Sequence, residues 1–436
     1  MTDAKVRMWG RTIGAVSWDK RRALGVFQYT PAFVGSPVEP SPLVMPTGNS
    51  IYEFPGNRAR GSDESVFHGL PGLLADSIPD KFGHALIDRW LASQGREPNS
   101  MNPVERLCYV GQRGMGALEY EPAVRKSINR VVDVDIPLLV ELVNEVVNQR
   151  TGLSGRLDHS KGDLEDILRV GTSAGGARAK AVLAWNPETG AFKSGQLNAP
   201  PGFEHWLLKF DGVTDANDRE ISDPRGYGRI EFAYYLMAAD CGIDMMPSRL
   251  HTEGERAHFM TRRFDRVGET KLHVQSLCAL CHYDFNRARE FSYEQAIQAC
   301  RRLQLSAKEI EQQVRRAFFN VLARNQDDHT KNIAFVMDKA GRWKLSPAFD
   351  MAYAYNPEKF WTREHQMSMN EKTDGFSVDD LLEFAKFAGI KRPRAMQILQ
   401  NVSSAVSDWK KYAQDAGVPA EKISKIANAH RSNLFV

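Results

Sequence analysis

An α+β fold, with a β-rich N-terminal half and a mostly helical C-terminal half, is what the sequence predicts. Short β-prone runs separated by glycines and prolines fill the first 60 residues, and strand-like stretches return between residues 165 and 215. After about residue 264, apolar residues recur mainly at helical spacing. Most of the glycines lie in the β-rich half, and a cluster of polar residues lies in the helical half.

Composition narrows the class of protein. The chain has 436 residues, enough for two to three domains of about 150 residues. Its 57 basic and 54 acidic side chains give a net charge of +3, which argues against a binder of polyanions along its whole length. No apolar run is long enough to span a membrane, and the five cysteines are few and scattered. We therefore expect a cytoplasmic protein without signal peptide or membrane partner.

In the N-terminal half, the sequence predicts strands first, then helices, and then mainly strands again. The predicted strands of this half are Val6–Trp9, Ile13–Trp18, Leu24–Tyr29, Ile167–Gly171, Ala179–Trp185, His205–Phe210 and His258–Thr261. Its predicted helices are Lys81–Ser93, Ile136–Gln149 and Arg229–Cys241.

The C-terminal half predicts helices with one short β insert. The predicted helices are Tyr293–Leu303, Ala307–Arg324, Val378–Ala388, Pro393–Ala416 and Ala420–Ser432. Ile333–Met337 and Trp343–Leu345 form the insert. A β-rich half followed by a helical half is typical of a two-lobed phosphotransferase, and also of many unrelated α+β proteins.

The segment Asn325–Asn332 carries the sharpest chemical signal. It follows an apolar helix and precedes a β-like run, so it is a loop between packed elements. Asp327 and Asn332 are five positions apart, as in phosphoryl-transfer loops where an Asp accepts the hydroxyl proton and an Asn binds a metal. Asp350 follows the β insert, where a kinase keeps its main Mg²⁺ ligand. The alternative is that these carboxylates cap helices and turns.

A glycine-rich segment lies upstream, between two strand-like runs. It contains Ser173, Gly175, Gly176 and Lys180. Glycines there let backbone N–H groups approach phosphates, although the spacing matches neither common glycine-rich phosphate motif. A glycine-rich hairpin turn without a ligand is the alternative.

Lys209 ends an apolar run and Glu231 opens an amphipathic helix 22 residues later. In a kinase N-lobe, a strand Lys contacts the α- and β-phosphates and pairs with a helix Glu. A Lys whose stem covers apolar surface and a Glu at a helix start are the alternatives.

Several motifs occur together and in order along nearly the whole chain. They are Ile78-Pro79-Asp80, Ser173-x-x-Gly176-x-x-x-Lys180, Leu208-Lys209, Glu231 with Gly242-Ile243, Arg263-Phe264-Asp265-Arg266, Asp327-x-His329-x-x-Asn332 and Pro347-Ala-Phe-Asp350. With these motifs the chain resembles the HipA-like serine/threonine kinases.

The resemblance implies a two-lobed protein-kinase-like fold. Residues 1–125 would form an N-terminal β-rich module with helices, 126–260 the kinase N-lobe with the Gly-rich loop, and 261–436 the helical C-lobe with the catalytic loop. His258–Arg263 would lie near the hinge that reads adenine, with Arg263–Arg266 beginning the C-lobe.

The resemblance also implies a role for each motif residue. Asp327 would be the catalytic residue, and Asn332 and Asp350 would hold Mg²⁺. The residues that would bind ATP are Ser173, Gly175, Gly176, Lys180, Lys209, Glu231, His329 and Lys331. Ser173 also matches a serine that family members autophosphorylate, which ejects the loop and disables ATP binding.

Members of this family are bacterial toxins, and the resemblance implies similar substrates and binding partners for this chain. They phosphorylate protein serines, in known cases on aminoacyl-tRNA synthetases, and slow translation. Many are held by a small helix-turn-helix antitoxin of HipB type, so DNA would be reached only indirectly, through the antitoxin. Two alternatives stay open: a kinase of the same fold acting on a small molecule, and a non-catalytic regulatory module bound to a DNA-binding antitoxin.

Overall fold

Two compact units make up the chain in the structure, a computed structural model. It describes residues 2–58, 65–123, 131–148, 170–171, 178–195, 199–213, 225–432 and 434. Unit 1 comprises Met1–Pro40, Met45–Gly228 and Arg249–Val274, and unit 2 comprises Ser41–Val44, Arg229–Ser248 and Gln275–Val436. The three-part division at residues 125 and 260 remains a prediction.

An antiparallel sheet opens unit 1, with strand order β4-β3-β2-β1-β5. The strands are β1 Thr2–Met8, β2 Arg11–Asp19, β3 Leu24–Tyr29, β4 Ile51–Tyr52 and β5 Leu118–Glu121. Val6, Val16 and Phe27 point to its buried face, as period-2 alternation requires. Of the strands predicted at the start of the chain, Leu24–Tyr29 has the predicted bounds, and Ile13–Trp18 lies within β2. The prediction of Val6–Trp9 is confirmed only in part, because β1 begins at Thr2 and ends at Met8.

Helices lie between β4 and β5 along the chain in unit 1. They are α1 Gly72–Ala75, α2 Lys81–Ser93 and α3 Pro103–Val110. Asp80 caps α2 by accepting the backbone N–H of Gly83, and Asn102 forms a capping box with Glu105 at α3.

A second sheet in unit 1 has strand order β7-β6-β8-β10-β9. The strands are β6 Lys180–Trp185, β7 Phe192–Ser194, β8 Glu204–Lys209, β9 Ser248–Glu253 and β10 Arg256–Arg262. Helix α4, Ile136–Asn148, contributes Val140 to the core that Leu183 and Trp206 build on this sheet. The strand predicted over Ile167–Gly171 is wrong where it can be seen, because residues 170–171 are helical; residues 167–169 lie outside the described part.

Helices dominate unit 2. They are α5 Tyr227–Asp240, whose first two residues belong to unit 1, α6 Leu277–Cys281, α7 Tyr293–Arg302, α8 Ala307–Leu322, α9 Val378–Phe387, α10 Arg392–Ser407, α11 Trp409–Asp415 and α12 Ala420–Ala429. A capping box formed by Ser292, Ser306 or Ser377 starts each of α7, α8 and α9.

The helix predicted over Pro393–Ala416 is wrong as a single element. It divides at Asp408, which ends α10 and begins α11. Trp409, the first residue of α11, packs its ring against Tyr234 and His430 and is only 1% exposed.

Short strands complete the described elements. They are β11 Arg266–Val267, β12 Thr270–Lys271, β13 His273–Ser276, β14 Phe291–Ser292, β15 Ala334–Met337, β16 Trp343–Leu345 and β17 Met367–Ser368. Strands β15 and β16 form the predicted insert as a hairpin, and β14 pairs with β17 in parallel. Across the described residues, no helix combines the length and the apolar character needed to cross a bilayer.

Candidate active site

Helix α8 carries the predicted catalytic loop. Its side chains at Val314, Phe318 and Val321 are fully buried, so the helix is fixed in the core of unit 2. The helix ends at Leu322, and Arg324 then takes a positive φ of 55° that turns the chain into the loop. A rigid helix thus presents a short polar loop.

Asp327 lies at the surface of this loop with its side chain 54% exposed. Asn332, five residues later, folds back so that its Nδ2 donates to the Asp327 carbonyl at 2.8 Å. A short 3₁₀ turn over Thr330–Asn332 makes this return, and Thr330 Oγ1 secures it by donating to the Tyr283 carbonyl at 2.7 Å. The structure therefore brings Asp327 and Asn332 together.

His329 and Lys331 flank the same turn. The His329 ring stacks on Phe285 with centroids 4.8 Å apart, and its Nε2 lies 3.8 Å from Asp327 Oδ1. Lys331 Nζ lies 5.6 Å from the centroid of the Phe285 ring. The ring of Phe285, a residue that sequence analysis missed, therefore contacts both side chains.

Asp328 holds the loop to the core of unit 2, a role that the sequence did not reveal. Its carboxylate accepts from Tyr293 Oη at 2.5 Å, from His365 Nδ1 at 2.7 Å and from the Gln366 backbone at 2.8 Å. Burial by itself would raise the pKa of Asp328, but His365 and these donors outweigh it and hold the pKa below its ordinary value. Asn320 extends the network by donating to Tyr293 Oη at 3.0 Å.

Asp350 lies in the segment that follows the β15–β16 hairpin. That segment returns to the start of the loop: Met351 Sδ lies 4.0 Å from Asn325 Nδ2, and the Ala354 backbone donates to the Arg324 carbonyl at 3.1 Å. Asp350 itself has a φ of 54°, an uncommon backbone conformation for a residue other than glycine. Its chain neighbourhood is thus beside the loop within unit 2.

The donor types of Asn332 and Asp350 are those that a divalent cation takes. Because Asn332 uses its amide nitrogen in the bond to Asp327, its Oδ1 is the atom suited to a cation. Carboxylate and amide oxygens are the ligands that Mg²⁺ prefers, and Asp350 adds a carboxylate. No group of three or more His, Cys, Asp and Glu arranged to hold a metal occurs in the described part of the chain, and the predicted pair is one amide and one carboxylate.

Two lysines face each other on the second sheet of unit 1. Lys180 on β6 pairs directly with Lys209 on β8, so both side chains lie on one face of the sheet. Lys180 is 3% and Lys209 8% exposed, and Lys180 Nζ lies 3.5 Å from Asp80 Oδ2. Lys209 Nζ lies 5.8 Å from the centroid of Phe259. The sheet therefore places both lysine side chains on one buried face, with Lys180 beside Asp80.

Other predicted binding residues are placed elsewhere or not described. Ser173, Gly175 and Gly176 lie outside the described residues. Glu231 is buried on α5 in unit 2, so its predicted pairing with Lys209 remains a prediction.

The Arg263–Arg266 motif forms a buried charge cluster in unit 1. Asp265 is fully buried and accepts two bonds from Arg263 at 2.9 and 2.8 Å, one from Arg266 at 2.5 Å and one from the Gly116 backbone at 2.7 Å. Burial would raise the pKa of Asp265, but the two arginines hold it well below its ordinary value. Arg266 also donates to the Gly114 carbonyl at 3.1 Å. The motif thus ties its own segment to the loop before β5.

Comparison with known proteins identifies the family. The HipA-like C-terminal domain matches residues 172–409, and the HipA N-terminal domain matches residues 4–121. The first match alone covers more than half of the chain, so the chain belongs to the HipA-like family, as its motifs indicated. No curated protein matches significantly by sequence.

Solved structures support the fold class. The chain is similar to HipA in the Shewanella oneidensis MR-1 complex of HipA, HipB and operator DNA, with 16% identity and a TM-score of 0.64, covering 99% of this chain and 95% of that one. A Helicobacter pylori proinflammatory kinase, CtkA, matches more distantly, with 13% identity and a TM-score of 0.34 over 60% of this chain and 92% of that one. The predicted α+β kinase-like fold is confirmed by the HipA likeness.

Proposed function

We propose that this protein is an ATP- and Mg²⁺-dependent serine/threonine protein kinase of HipA type. The observation that carries the proposal is the loop in unit 2, where Asn332 folds back onto Asp327 and the segment after Asp350 runs beside the loop. Membership of the HipA-like family supports the same activity. In-line phosphoryl transfer needs positioned groups and charge neutralisation more than covalent chemistry, and this set supplies both.

Each residue of the site has a defined part in this proposal. Asp327 accepts the proton of the attacking hydroxyl, and its exposed carboxylate is within reach of a protein substrate. Asn332 and Asp350 hold Mg²⁺, which, when bound, neutralises charge on the phosphates of ATP. His329 and Lys331, held on Phe285, lie along the edge of the loop where the nucleotide phosphates bind.

The lysines of unit 1 have a matching part. Lys180 and Lys209 lie buried on one face of the sheet, with Lys180 Nζ 3.5 Å from Asp80 Oδ2. In the proposal, both lysines bind the phosphates of ATP, and Glu231 is the partner of Lys209. The Gly-rich segment with Ser173, Gly175 and Gly176 covers the phosphates, and a phosphate on Ser173 repels them.

The biological role proposed is that of a toxin. The structurally similar HipA is part of a toxin–antitoxin system and is bound to HipB and operator DNA. By analogy, this chain phosphorylates a translation-related protein, such as an aminoacyl-tRNA synthetase, in the bacterial cytoplasm. A small helix-turn-helix antitoxin of HipB type restrains it and links it to DNA.

Substitution of Asp327 tests the catalytic proposal. Asp327→Asn keeps size and polarity but removes the proton acceptor, so phosphate transfer is expected to fall at least about a hundredfold while ATP still binds. Asp415→Asn, at another exposed aspartate of unit 2, is the matched control and keeps full activity. Full activity of Asp327→Asn refutes the assignment.

The class of substrate has its own experiment. Incubation with cell extract and labelled ATP gives labelled protein bands if the substrate is a protein, and labelled small molecules alone if it is a metabolite. Co-purification with a small helix-turn-helix protein supports the antitoxin, and co-purification without any phosphate transfer by the wild-type protein contradicts the kinase.

A further inference from the structure

The C-terminal residues Ala429–Arg431 lie against the end of the helix that carries the catalytic loop. The last carbonyls of an α-helix have no partner within the helix and need donors from elsewhere. At the end of α8, the Arg431 backbone donates to the Leu322 carbonyl at 2.9 Å, and Arg431 Nη1 donates to the Val321 carbonyl at 3.3 Å. The C-terminal segment therefore caps α8.

The same segment also reaches the turn that begins the loop. Arg324 Nε donates to the Ala429 carbonyl at 2.9 Å. Tyr234 Oη donates to the Ala323 carbonyl at 2.5 Å and lies 2.8 Å from His430 Nε2. Each of the three residues Ala429, His430 and Arg431 thus contacts the helix end directly or through one side chain.

Arg431 extends beyond the helix end to the group that anchors the loop. Its Nη1 lies 3.3 Å from His365 Nε2, and His365 Nδ1 bonds the Asp328 carboxylate at 2.7 Å. Since a guanidinium can only donate, it selects the imidazole tautomer whose proton is on Nδ1, which is the proton that Asp328 accepts. Its Nη2 also bonds Asp374, and its side chain is only 10% exposed.

We propose that Arg431 is a positioning residue for phosphoryl transfer. It contacts the chain on both sides of Asp327: Val321 and Leu322, six and five residues before it, directly, and Asp328, the next residue, through His365. A displacement of about 1 Å at a catalytic group costs up to about a hundredfold in rate. The proposal rests on the proposed catalytic role of Asp327 but concerns how that residue is held.

Arg301 is a matched control within the same unit. Its guanidinium donates to the carbonyl of Phe387, the last residue of α9, and lies 5.2 Å from the centroid of the Phe387 ring. Arg431 likewise caps a helix end and lies 5.5 Å from the centroid of Phe376. Both arginines cap a helix in the same manner, but α9 carries no predicted catalytic residue.

The experiment compares Arg431→Gln with Arg301→Gln, both checked for folding by urea unfolding. We expect Arg431→Gln to lower kcat at least tenfold with KM for ATP within twofold of wild type, and Arg431→Lys to recover part of the loss. Arg301→Gln is expected to keep both constants within twofold. An equal loss in both variants, or an unchanged kcat in Arg431→Gln, overturns the proposal.

Amide hydrogen exchange gives a readout that does not depend on activity. Arg431→Gln is expected to speed exchange at least tenfold over residues 322–332 while leaving α9 protected, and Arg301→Gln to do the reverse. If the wild-type protein transfers no phosphate, the proposed function fails, but this exchange pattern still decides whether Arg431 holds the loop. Unchanged exchange over residues 322–332 in Arg431→Gln contradicts the inference.

Discussion

Asp328 and His365 form a fully buried pair in unit 2, with His365 Nδ1 2.7 Å from Asp328 Oδ2. The pair holds Asp328 in the core, next to Asp327. The carboxylate of Asp327, the proposed catalytic residue, is therefore exposed on a loop whose adjacent residue is buried. This arrangement separates the two adjacent aspartates by role: Asp327 faces solvent and Asp328 faces the core.

Removal of the Asp328 charge is expected to be costly. Asp328→Asn leaves His365 and Tyr293 without their charged acceptor, and breaking a buried pair typically lowers the free energy of unfolding by about 3–5 kcal/mol. The exposed control Asp415→Asn is expected to change it by less than about 0.5 kcal/mol. Urea unfolding measures both, and equal small effects in the two variants would show that the anchor contributes little.

Asp350 is expected to control the binding of nucleotide with metal. Asp350→Ala removes a predicted Mg²⁺ ligand, so the affinity for Mg·ATP measured by calorimetry should fall at least tenfold. In EDTA, where no metal is present, the variant and the wild-type protein should bind ATP with equal affinity. Asp338→Ala, in the turn between β15 and β16, changes a carboxylate of the same hairpin and should leave the affinity unchanged. Unaltered Mg·ATP affinity in Asp350→Ala rules out this role.

Phosphate on Ser173 is expected to switch the protein off. A phosphoserine adds about −1.5 to −2 charge to the segment proposed to cover the phosphates of ATP, so Ser173→Asp should abolish ATP binding. Ser404→Asp, on the exposed side of α10, places a similar charge elsewhere and should bind ATP normally. Intact mass of protein made in cells should show the phosphate; its absence together with normal activity of Ser173→Asp would refute the switch.

His430 is expected to make the protein sensitive to acid. Its ring packs against Tyr234 and Trp409, and burial lowers its pKa from 6.5 to about 3. Because the folded pKa is the lower one, this contribution to stability is complete above pH 6.5 and is lost as the pH falls from 6.5 towards 3.

The size of this effect follows from the pKa difference. Between pH 6.5 and 5, wild type should lose about 2 kcal/mol of unfolding free energy more than His430→Asn, at about 1.4 kcal/mol per pH unit. Other buried histidines, such as His273, titrate in both proteins and cancel in the comparison. Parallel pH profiles from urea unfolding would contradict a neutral, partly buried His430.

Local patterns predicted the loop and the elements around it. Asp327, Asn332 and the β15–β16 hairpin are close in sequence, and their spacing carried the prediction. Periodicity likewise located Lys81–Ser93, which the structure contains with the same bounds. It failed for β14 and β17, because a two-residue strand has no period to detect.

Long-range contacts were out of reach of the sequence. Asp328 could be read only as a turn or helix cap, since its partners Tyr293 and His365 lie 35 and 37 residues away. The ion pair of Lys180 with Asp80 joins residues 100 positions apart, so the sequence pattern around one residue gives no sign of the other. Arg431 lies beyond the last predicted motif, and only the fold brings it to His365.

A crystal structure with Mn²⁺ and a non-hydrolysable ATP analogue shows directly whether Asn332 and Asp350 bind the metal of a nucleotide. We expect a metal ion bound by Asn332 Oδ1 and an Asp350 carboxylate oxygen at about 2.0–2.3 Å, with Asp327 facing the γ-phosphate. A metal ion held by other residues, or a nucleotide bound away from the Asp327–Asn332 loop, would contradict it.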